Sequence, residues 1–309
     1  MVDAGVKLTV MVTPRRPWPV LILALLAGCS APKLAYNNLD WLVGWQVGRY
    51  VDLQPPQKAL LESGFRAFWG WHRSTQLRLY AKDLRELAAT AERPLQPEQV
   101  SGYVVRTGEH AMRALREATP DVARMLASMD DAQVAAMLER LAERRRERYE
   151  EEDELDAEEL QEKAQEQMEK NLKRWIGSLS RGQKDRVAAW TRERQYAGSI
   201  WRQYEEDWAA LFAELLTHRR APGFEARLAQ LFQEPKLPHR AQMSQMQAHN
   251  RAVWIRMLAD ISGSLSESQR RLFQERLREL ASDFDELAAE TAATPATRPS
   301  PAALQGSIG

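Results

Sequence analysis

The sequence predicts an all-α protein, an elongated multi-helix bundle with one long charged helix. The body is rich in Ala, Leu, Glu, Arg and Gln, which favour helices, and poor in the Val, Ile and Thr that favour strands. Long stretches without proline repeat apolar residues at helical spacing. Ten tryptophans in a chain with 28% charged residues indicate aromatic contacts between these helices.

The N-terminal stretch has the order of a secretory signal. Arg15 and Arg16 precede an apolar run over residues 18–26, and small residues follow it. The run is shorter than the roughly 20 apolar residues that a transmembrane helix needs. The motif Leu-Ala-Gly-Cys, which ends at Cys29, resembles the bacterial lipobox. The resemblance implies that the leader is removed and that Cys29 is acylated.

The remaining features of the leader agree with lipidation at Cys29. This lone cysteine has no disulfide partner, and a free exposed thiol would be a liability in an oxidising compartment. Ser30 follows it where an Asp could stand, and by resemblance to sorted lipoproteins this implies the outer membrane, with the body facing the periplasm. The alternative is that Cys29 is an ordinary residue of an uncleaved anchor. Met11 is a second candidate for the start of the chain.

Four segments are predicted along the chain. Residues 1–28 form the signal peptide, 29–52 a lipid-attached aromatic segment, 53–290 the helical domain, and 291–309 a disordered tail rich in Ala, Thr, Pro and Ser. The 43 basic and 43 acidic residues balance, so no overall field attracts nucleic acid. The expected partners are therefore the membrane, through acylated Cys29, and an envelope protein that the sequence does not identify.

The aromatic segment contains the candidates for contact with lipid or with a partner. Tyr36, Trp41 and Trp45 lie within a few helical turns of the acylated end. A helix carrying them could lie at the membrane interface or pack on its own domain. Because Lys33 and Arg49 are the only basic residues of this segment, packing on the domain is favoured.

A five-residue pattern recurs from residue 53 onward: an apolar residue, a capping residue, two further residues and a glutamine. Each copy predicts a helix start, because the cap accepts hydrogen bonds from early backbone amides while the glutamine reaches back to the cap. The first two copies have Gln as the cap, which is a poorer cap than Ser or Asp. The copies are Leu53–Gln57, Leu95–Gln99, Met129–Gln133, Leu179–Gln183 and Leu265–Gln269.

Between these starts the apolar spacing predicts long helices. Pro120 should end one of them, leaving a short element before the next start. Residues 130–176 contain neither Pro nor Gly and crowd charges from Glu143 to Lys173, which predicts the long charged helix, with 150–157 as the place for a break. Gly198 should kink the next helix. The predicted helices are 55–91, 97–118, 121–128, 130–176, a stretch from 180, 224–232, 239–261 and 266–290.

The histidines and methionines offer weak candidates for a metal or a catalyst. His239, Met243, Met246 and His249 share one helix face, where soft ligands would suit copper. The same stripe continues through Asn250, Val253 and Met257, which is typical of a core-facing helix, so the core interpretation is favoured. His72 and His110 are expected to be hydrogen-bonded and half-buried.

No known motif identifies an active site. Glu-x-x-His, His-Glu-x-x-His, Gly-x-Ser-x-Gly and the Walker phosphate loop are all missing from the sequence. No catalytic residue, metal or cofactor is therefore expected, and the favoured class is non-enzymatic. The arginines of residues 144–148 are interleaved with and followed by glutamates, so a solvated face is favoured over a phosphate site.

Three stretches carry a family pattern: Leu34–Trp41 (LAYNNLDW), Tyr50–Gln54 (YVDLQ), and Trp71–Arg73 followed by Tyr80. On these motifs the chain resembles an uncharacterised family of gram-negative lipoproteins that carries a domain of unknown function. The similarity extends from the lipobox to about residue 287. It implies an all-helical, envelope-associated lipoprotein, and it supplies no catalytic residues.

The recurring pattern is also similar to the Leu-Thr-x-x-Gln motif of small periplasmic stress chaperones, although no copy here has the threonine. The leading hypothesis is an outer-membrane-anchored periplasmic lipoprotein with an interaction or envelope-maintenance role. One alternative is a chaperone-like binder of unfolded or envelope proteins. The other is an envelope enzyme with an unrecognised site, which would need a pocket where carboxylates and His72 or His110 converge.

Overall fold

The computed structural model describes residues 39–196, 198–235, 237 and 240–292, with side chains from Leu42 to Glu290. Within these ranges every regular element is a helix, which confirms the predicted all-α bundle. A π-helical segment, His72–Gln76, joins the second and third helices. The α-helices are α1 Leu39–Gly48, α2 Pro55–Trp71, α3 Leu77–Thr90, α4 Pro97–Ser128, α5 Asp131–Asp153, α6 Ala157–Ile176, α7 Arg181–Glu193, α8 Gly198–Thr217, α9 Phe224–Gln233, α10 Arg240–Gly263 and α11 Glu267–Ala292.

The core is divided among four apolar clusters. The first surrounds Leu216, where α4, α5, α8 and α9 meet. The second surrounds Leu77, where α3 packs along α11. The third surrounds Val187 between α6, α7 and α10, and the fourth joins Ile255 of α10 to the connection after α3. Each cluster therefore buries apolar side chains from two or more helices.

The predicted end of a helix at Pro120 is wrong, because α4 continues through it to Ser128. A proline removes one backbone hydrogen bond from a helix, a cost of about 3 kcal/mol in an exposed helix. Here Thr119 is buried and its hydroxyl donates to the carbonyl of Leu115 at 2.6 Å. Ala123 and Leu126 are buried in the first cluster. Packing on both sides of the proline thus keeps α4 intact.

The break expected within residues 150–157 is confirmed, since α5 ends at Asp153 and α6 begins at Ala157. The kink predicted at Gly198 is instead a complete break between α7 and α8. At this break, the side chain of Asn250 of α10 forms hydrogen bonds with the backbone N–H and carbonyl of Gln195. Its side chain accepts from the N–H of Gln195 at 2.7 Å and donates to the carbonyl of the same residue at 2.9 Å.

The predicted helix over 55–91 contains the π-helical segment, where the helix is locally wider. The helix predicted over 224–232 is confirmed as α9, and Gly223 adopts a positive φ of 79° at its start, a conformation that suits glycine. The last two helices lie close to their predicted ranges, and α11 extends two residues into the predicted tail. Residues 293–309 lie outside the described part of the chain.

The predicted helix starts hold at all five copies of the recurring pattern, but the copies differ in geometry. In each, the glutamine side-chain oxygen accepts from the backbone N–H of the cap. The Asp130, Ser180 and Ser266 side chains also accept from the glutamine N–H, at 2.8, 3.3 and 3.2 Å. Gln54 and Gln96 make no side-chain cap hydrogen bond that meets normal geometry, as their poorer capping predicts.

Four of the five glutamines form two pairs across the bundle. In the first glutamine pair, Gln57 and Gln133 exchange amide hydrogen bonds at 2.8 Å, joining the start of α2 to the start of α5. In the second glutamine pair, Gln183 and Gln269 do the same at 3.0 Å, joining α7 to α11. Gln99 is exposed and joins no pair with another described copy.

Replacing Gln183 by alanine should destabilise the protein by about 2 kcal/mol, because Gln183 is fully buried and its loss leaves polar groups without partners. Gln99→Ala is the matched control, since the Gln99 side chain accepts a hydrogen bond from the N–H of Gln96 and joins no pair with another described copy. This substitution should lower the free energy of unfolding by at most about 1 kcal/mol. Urea unfolding followed by far-UV circular dichroism measures both. Equal losses of stability would contradict a structural role for the second glutamine pair.

Candidate functional site: an apolar groove beside the N-terminal helix

The sequence-predicted contact residues fall at the N-terminal edge of the described chain. Cys29 and Tyr36 lie outside the described residues, and so does the side chain of Trp41, whose backbone belongs to α1. Trp45 is described, and 49% of its surface is exposed. The guanidinium carbon of Arg49 lies 5.0 Å from the centre of its indole ring. Trp45 is thus presented at the surface on α1 and held next to a cation.

Trp45 borders a groove of about 1020 Å³ between α1 and α2. The walls are mostly apolar, and both helices contribute to them because α1 folds back onto α2 through the connection over residues 49–54. This volume is at the upper end of the range for small-molecule sites. The lining residues are Val43, Gly44, Trp45, Gly48, Val51, Asp52, Leu53, Lys58, Leu61, Glu62, Phe65, Arg66, Trp69 and Arg73.

Charged side chains from the start and the exposed side of α2 surround the groove. Asp52 accepts a hydrogen bond from Arg140 at 2.8 Å, so this carboxylate is already paired. Arg73 lies 3.9 Å from Glu290 and over the ring of Trp69. Lys58 and Arg66 are exposed, and neither forms an ion pair with a residue in the described part of the chain. Together with Glu62, they leave the mouth of the groove with an excess of positive charge.

The π-helical segment begins beside this groove. Its first residue, His72, stacks on the indole of Trp69 with ring centres 5.5 Å apart and planes 4° apart. The hydroxyl of Tyr80 lies 3.3 Å from Nε2 of His72. Burial lowers the pKa of His72 to about 4 and raises the pKa of Tyr80 to about 12. Both side chains are therefore neutral at physiological pH.

A second histidine continues the same polar cluster. Nε2 of His110 donates to a carboxylate oxygen of Asp83 at 2.8 Å, and the ring of Tyr80 meets the His110 ring edge-on at 4.9 Å. Arg106 also donates to Asp83, at 3.3 Å. The prediction that His72 and His110 are hydrogen-bonded and half-buried is confirmed. Neither histidine lines the groove, although Trp69 links His72 to its wall.

The methionine stripe of α10 is a core feature. Met243, Val253 and Met257 are at most 4% exposed, which confirms the core interpretation. His249 donates from Nε2 to the carbonyl of Glu193 at 3.0 Å, and His239 lies outside the described residues. Within the described ranges, no group of three or more His, Cys, Asp or Glu side chains is placed to hold a metal ion.

The arginine cluster of α5 is less solvated than predicted. Arg144 lies over the ring of Tyr50, with 5.0 Å between the guanidinium carbon and the ring centre. Arg148 pairs with Glu205 of α8. Arg144, Arg145 and Arg148 border a recess of about 480 Å³ that Trp208 and Phe212 also line. Contacts between helices, rather than pairs at four-residue spacing along α5, thus engage two of these arginines.

The sequence pattern of a family of unknown function, DUF6279, matches residues 49–240. The chain belongs to this family. The DUF6279 range contains Tyr50–Gln54, Trp71–Arg73 and Tyr80, and so includes the α2 wall of the groove and the histidine cluster. Membership in an uncharacterised family with a domain of unknown function, as the sequence motifs indicated, is therefore confirmed.

The DUF6279 match begins after the lipobox and ends before residue 287, so it covers less of the chain than the predicted resemblance. No curated protein and no solved structure matches the chain. None of the described helices is long and apolar enough to cross a membrane.

Sequence reasoning found several residues of the site but missed their arrangement. Trp45, His72 and His110 were named, whereas the groove and the bond between His110 and Asp83 were not. Tyr80 and Asp83 are three residues apart on α3, so they share a helix face, and this spacing could have indicated a polar cluster. The groove has no sequence signal, because its two walls come from helices whose relative angle only the fold decides.

His72 should make stability depend on pH. Its pKa is about 4 in the folded protein and 6.5 in the unfolded chain, so protons bind the unfolded chain first as pH falls. This contribution is fully present above pH 6.5 and is lost as pH falls to 4, and it amounts to roughly 3 kcal/mol. Urea unfolding above pH 6.5 and near pH 4 measures it.

His72→Gln should reduce the loss of stability on acidification, and His218→Gln, at an exposed position of the connection after α8, should not. If His72→Gln shows the same pH dependence as the natural protein, His72 is not buried as a neutral ring.

Proposed function

We propose that this protein is an outer-membrane-anchored periplasmic lipoprotein, held by acylated Cys29, with a non-enzymatic interaction or envelope-maintenance role. The observation that carries the proposal is the leader with Leu-Ala-Gly-Cys ending at Cys29 and Ser30 after it. The resemblance to a gram-negative lipoprotein family supports it, and so does the absence of known catalytic motifs from the sequence.

The position of the groove agrees with this proposal. Residues 29–39 span at most about 35 Å when fully extended, so α1 must lie within that distance of the acylated residue. Trp45, which is exposed, and the apolar groove beside it then lie close to the anchored end of the chain. A contact surface close to the anchor is what an interaction role requires.

Replacing Cys29 by alanine should remove the lipid or leave the leader uncleaved. Membrane fractionation and the intact mass of the purified protein measure the two effects. Mature, lipid-modified protein in the Cys29→Ala variant would refute the anchor. Ser30→Asp is a matched variant that keeps the cysteine and tests the sorting inference, because it should hold the acylated protein in the inner membrane.

A chaperone-like binder of unfolded or envelope proteins is the second candidate. The recurring glutamine pattern and the largely apolar walls of the groove favour it. An apolar groove could hold extended apolar segments of an unfolded client.

The second candidate predicts that the purified protein delays aggregation of an unfolded client at equal or lower molar ratio. Light scattering measures the aggregation rate. Phe65→Glu, which places a charge in the groove wall, should abolish the delay, and Val105→Glu, at an exposed position of α4, should not. An unchanged aggregation curve with the natural protein would rule this role out.

A further inference from the structure

We propose that the groove between α1 and α2 binds an anionic phospholipid of the leaflet in which Cys29 is anchored. Its acyl region would lie against the apolar walls, and its phosphate would meet the basic residues at the mouth. This inference rests on the proposed lipid anchor, and it assigns a ligand to the groove beside that anchor.

The short tether is the first argument for a lipid ligand. Nine residues lie between Cys29 and Leu39, the start of α1, so Leu39 stays within about 35 Å of the bilayer surface and Trp45, six helical residues further on, within about 45 Å. A short tether of this kind raises the effective concentration of lipid at the groove to the millimolar range or above. Weak binding is therefore enough for occupancy, and any competing soluble ligand would have to exceed this local concentration.

The composition of α1 and the placement of Trp45 form the second argument. The sequence of α1, LDWLVGWQVG, contains a single charged residue, Asp40. Trp45 remains 49% exposed at the groove, although tryptophan is a residue that domains usually bury. Indole rings favour the interface between lipid and water because they combine a large apolar surface with one hydrogen-bond donor. Val43 and Phe65 continue the apolar surface inside the groove.

The charge at the mouth is the third argument. Lys58, Glu62 and Arg66 follow one another at four-residue steps along the exposed side of α2. Arg49 sits over Trp45, so a third cation lies on the α1 side. The acidic Asp52 is paired with Arg140. The remaining charge at the groove is positive, which matches a lipid phosphate.

A photoreactive phospholipid tests this assignment. The purified full-length protein is reconstituted in vesicles that contain phosphatidylglycerol with a diazirine on its acyl chain. After illumination, mass spectrometry maps the crosslinked peptides. Crosslinks should concentrate on α1 and along the groove side of α2. They should fall sharply when the photoreactive lipid is phosphatidylcholine in place of phosphatidylglycerol, or when salt is raised.

Charge reversal provides the matched comparison. Lys58→Glu combined with Arg66→Glu should reduce crosslinking at the groove at least about fivefold. Arg78→Glu combined with Lys82→Glu changes the same charge at two exposed positions of α3 and should leave the groove crosslinks unchanged. All four positions are exposed, so circular dichroism should show an unchanged fold in both variants.

The proposal is overturned if crosslinks fall mainly outside the groove, if phosphatidylcholine serves equally well, or if the two double variants behave alike. It is also overturned if the groove crosslinks to a copurified protein in place of lipid. Failure of the proposed anchor would be seen separately, because the intact mass of the protein shows whether Cys29 is modified. The crosslink map then tests only whether the groove binds lipid.

Discussion

Two glutamine pairs, Gln57–Gln133 and Gln183–Gln269, tie four helix starts together across the bundle, and one member of each pair, Gln57 or Gln183, is buried. Each amide donates to its partner glutamine and to the backbone carbonyl two residues before the partner's capping residue, as at Asp52 and Ser128 in the first pair. The second pair repeats this arrangement at Ser178 and Ser264. A buried amide without these bonds would cost about 1–3 kcal/mol, so each pair fixes the approach of two helix starts.

Long polar side chains donate hydrogen bonds to backbone carbonyls near helix ends inside the bundle. Arg219 is 5% exposed and donates to the carbonyl of Met129 at the end of α4. Gln274 of α11 donates to the carbonyl of Ala88 in α3 at 2.9 Å. Because buried backbone groups need partners, these contacts allow helices to end inside the bundle.

The candidate site was only partly predictable from the sequence, because contacts between distant parts of the chain bring its residues together. Trp45 could be chosen from the sequence because it lies near the predicted lipidation site, and the structure shows that its side chain is 49% exposed. The groove exists because α1 folds back on α2. Val51, in the connection between these two helices, packs in the first cluster with residues of α4, α8 and α9. His72 and His110 are 38 residues apart in sequence, and Tyr80 contacts both of them.

The sequence by itself determined where five of the described helices begin, because a capping box involves four consecutive residues and depends on nothing distant. It also determined the all-α class, through helix-forming composition and apolar spacing that act within a few turns. Only the tertiary structure decided that α4 passes through Pro120 and that α7 stops before Gln195. It also decided which glutamines pair, since the partners lie 76 and 86 residues apart. Those outcomes depend on packing and hydrogen bonds supplied by other helices, and no local pattern contains them.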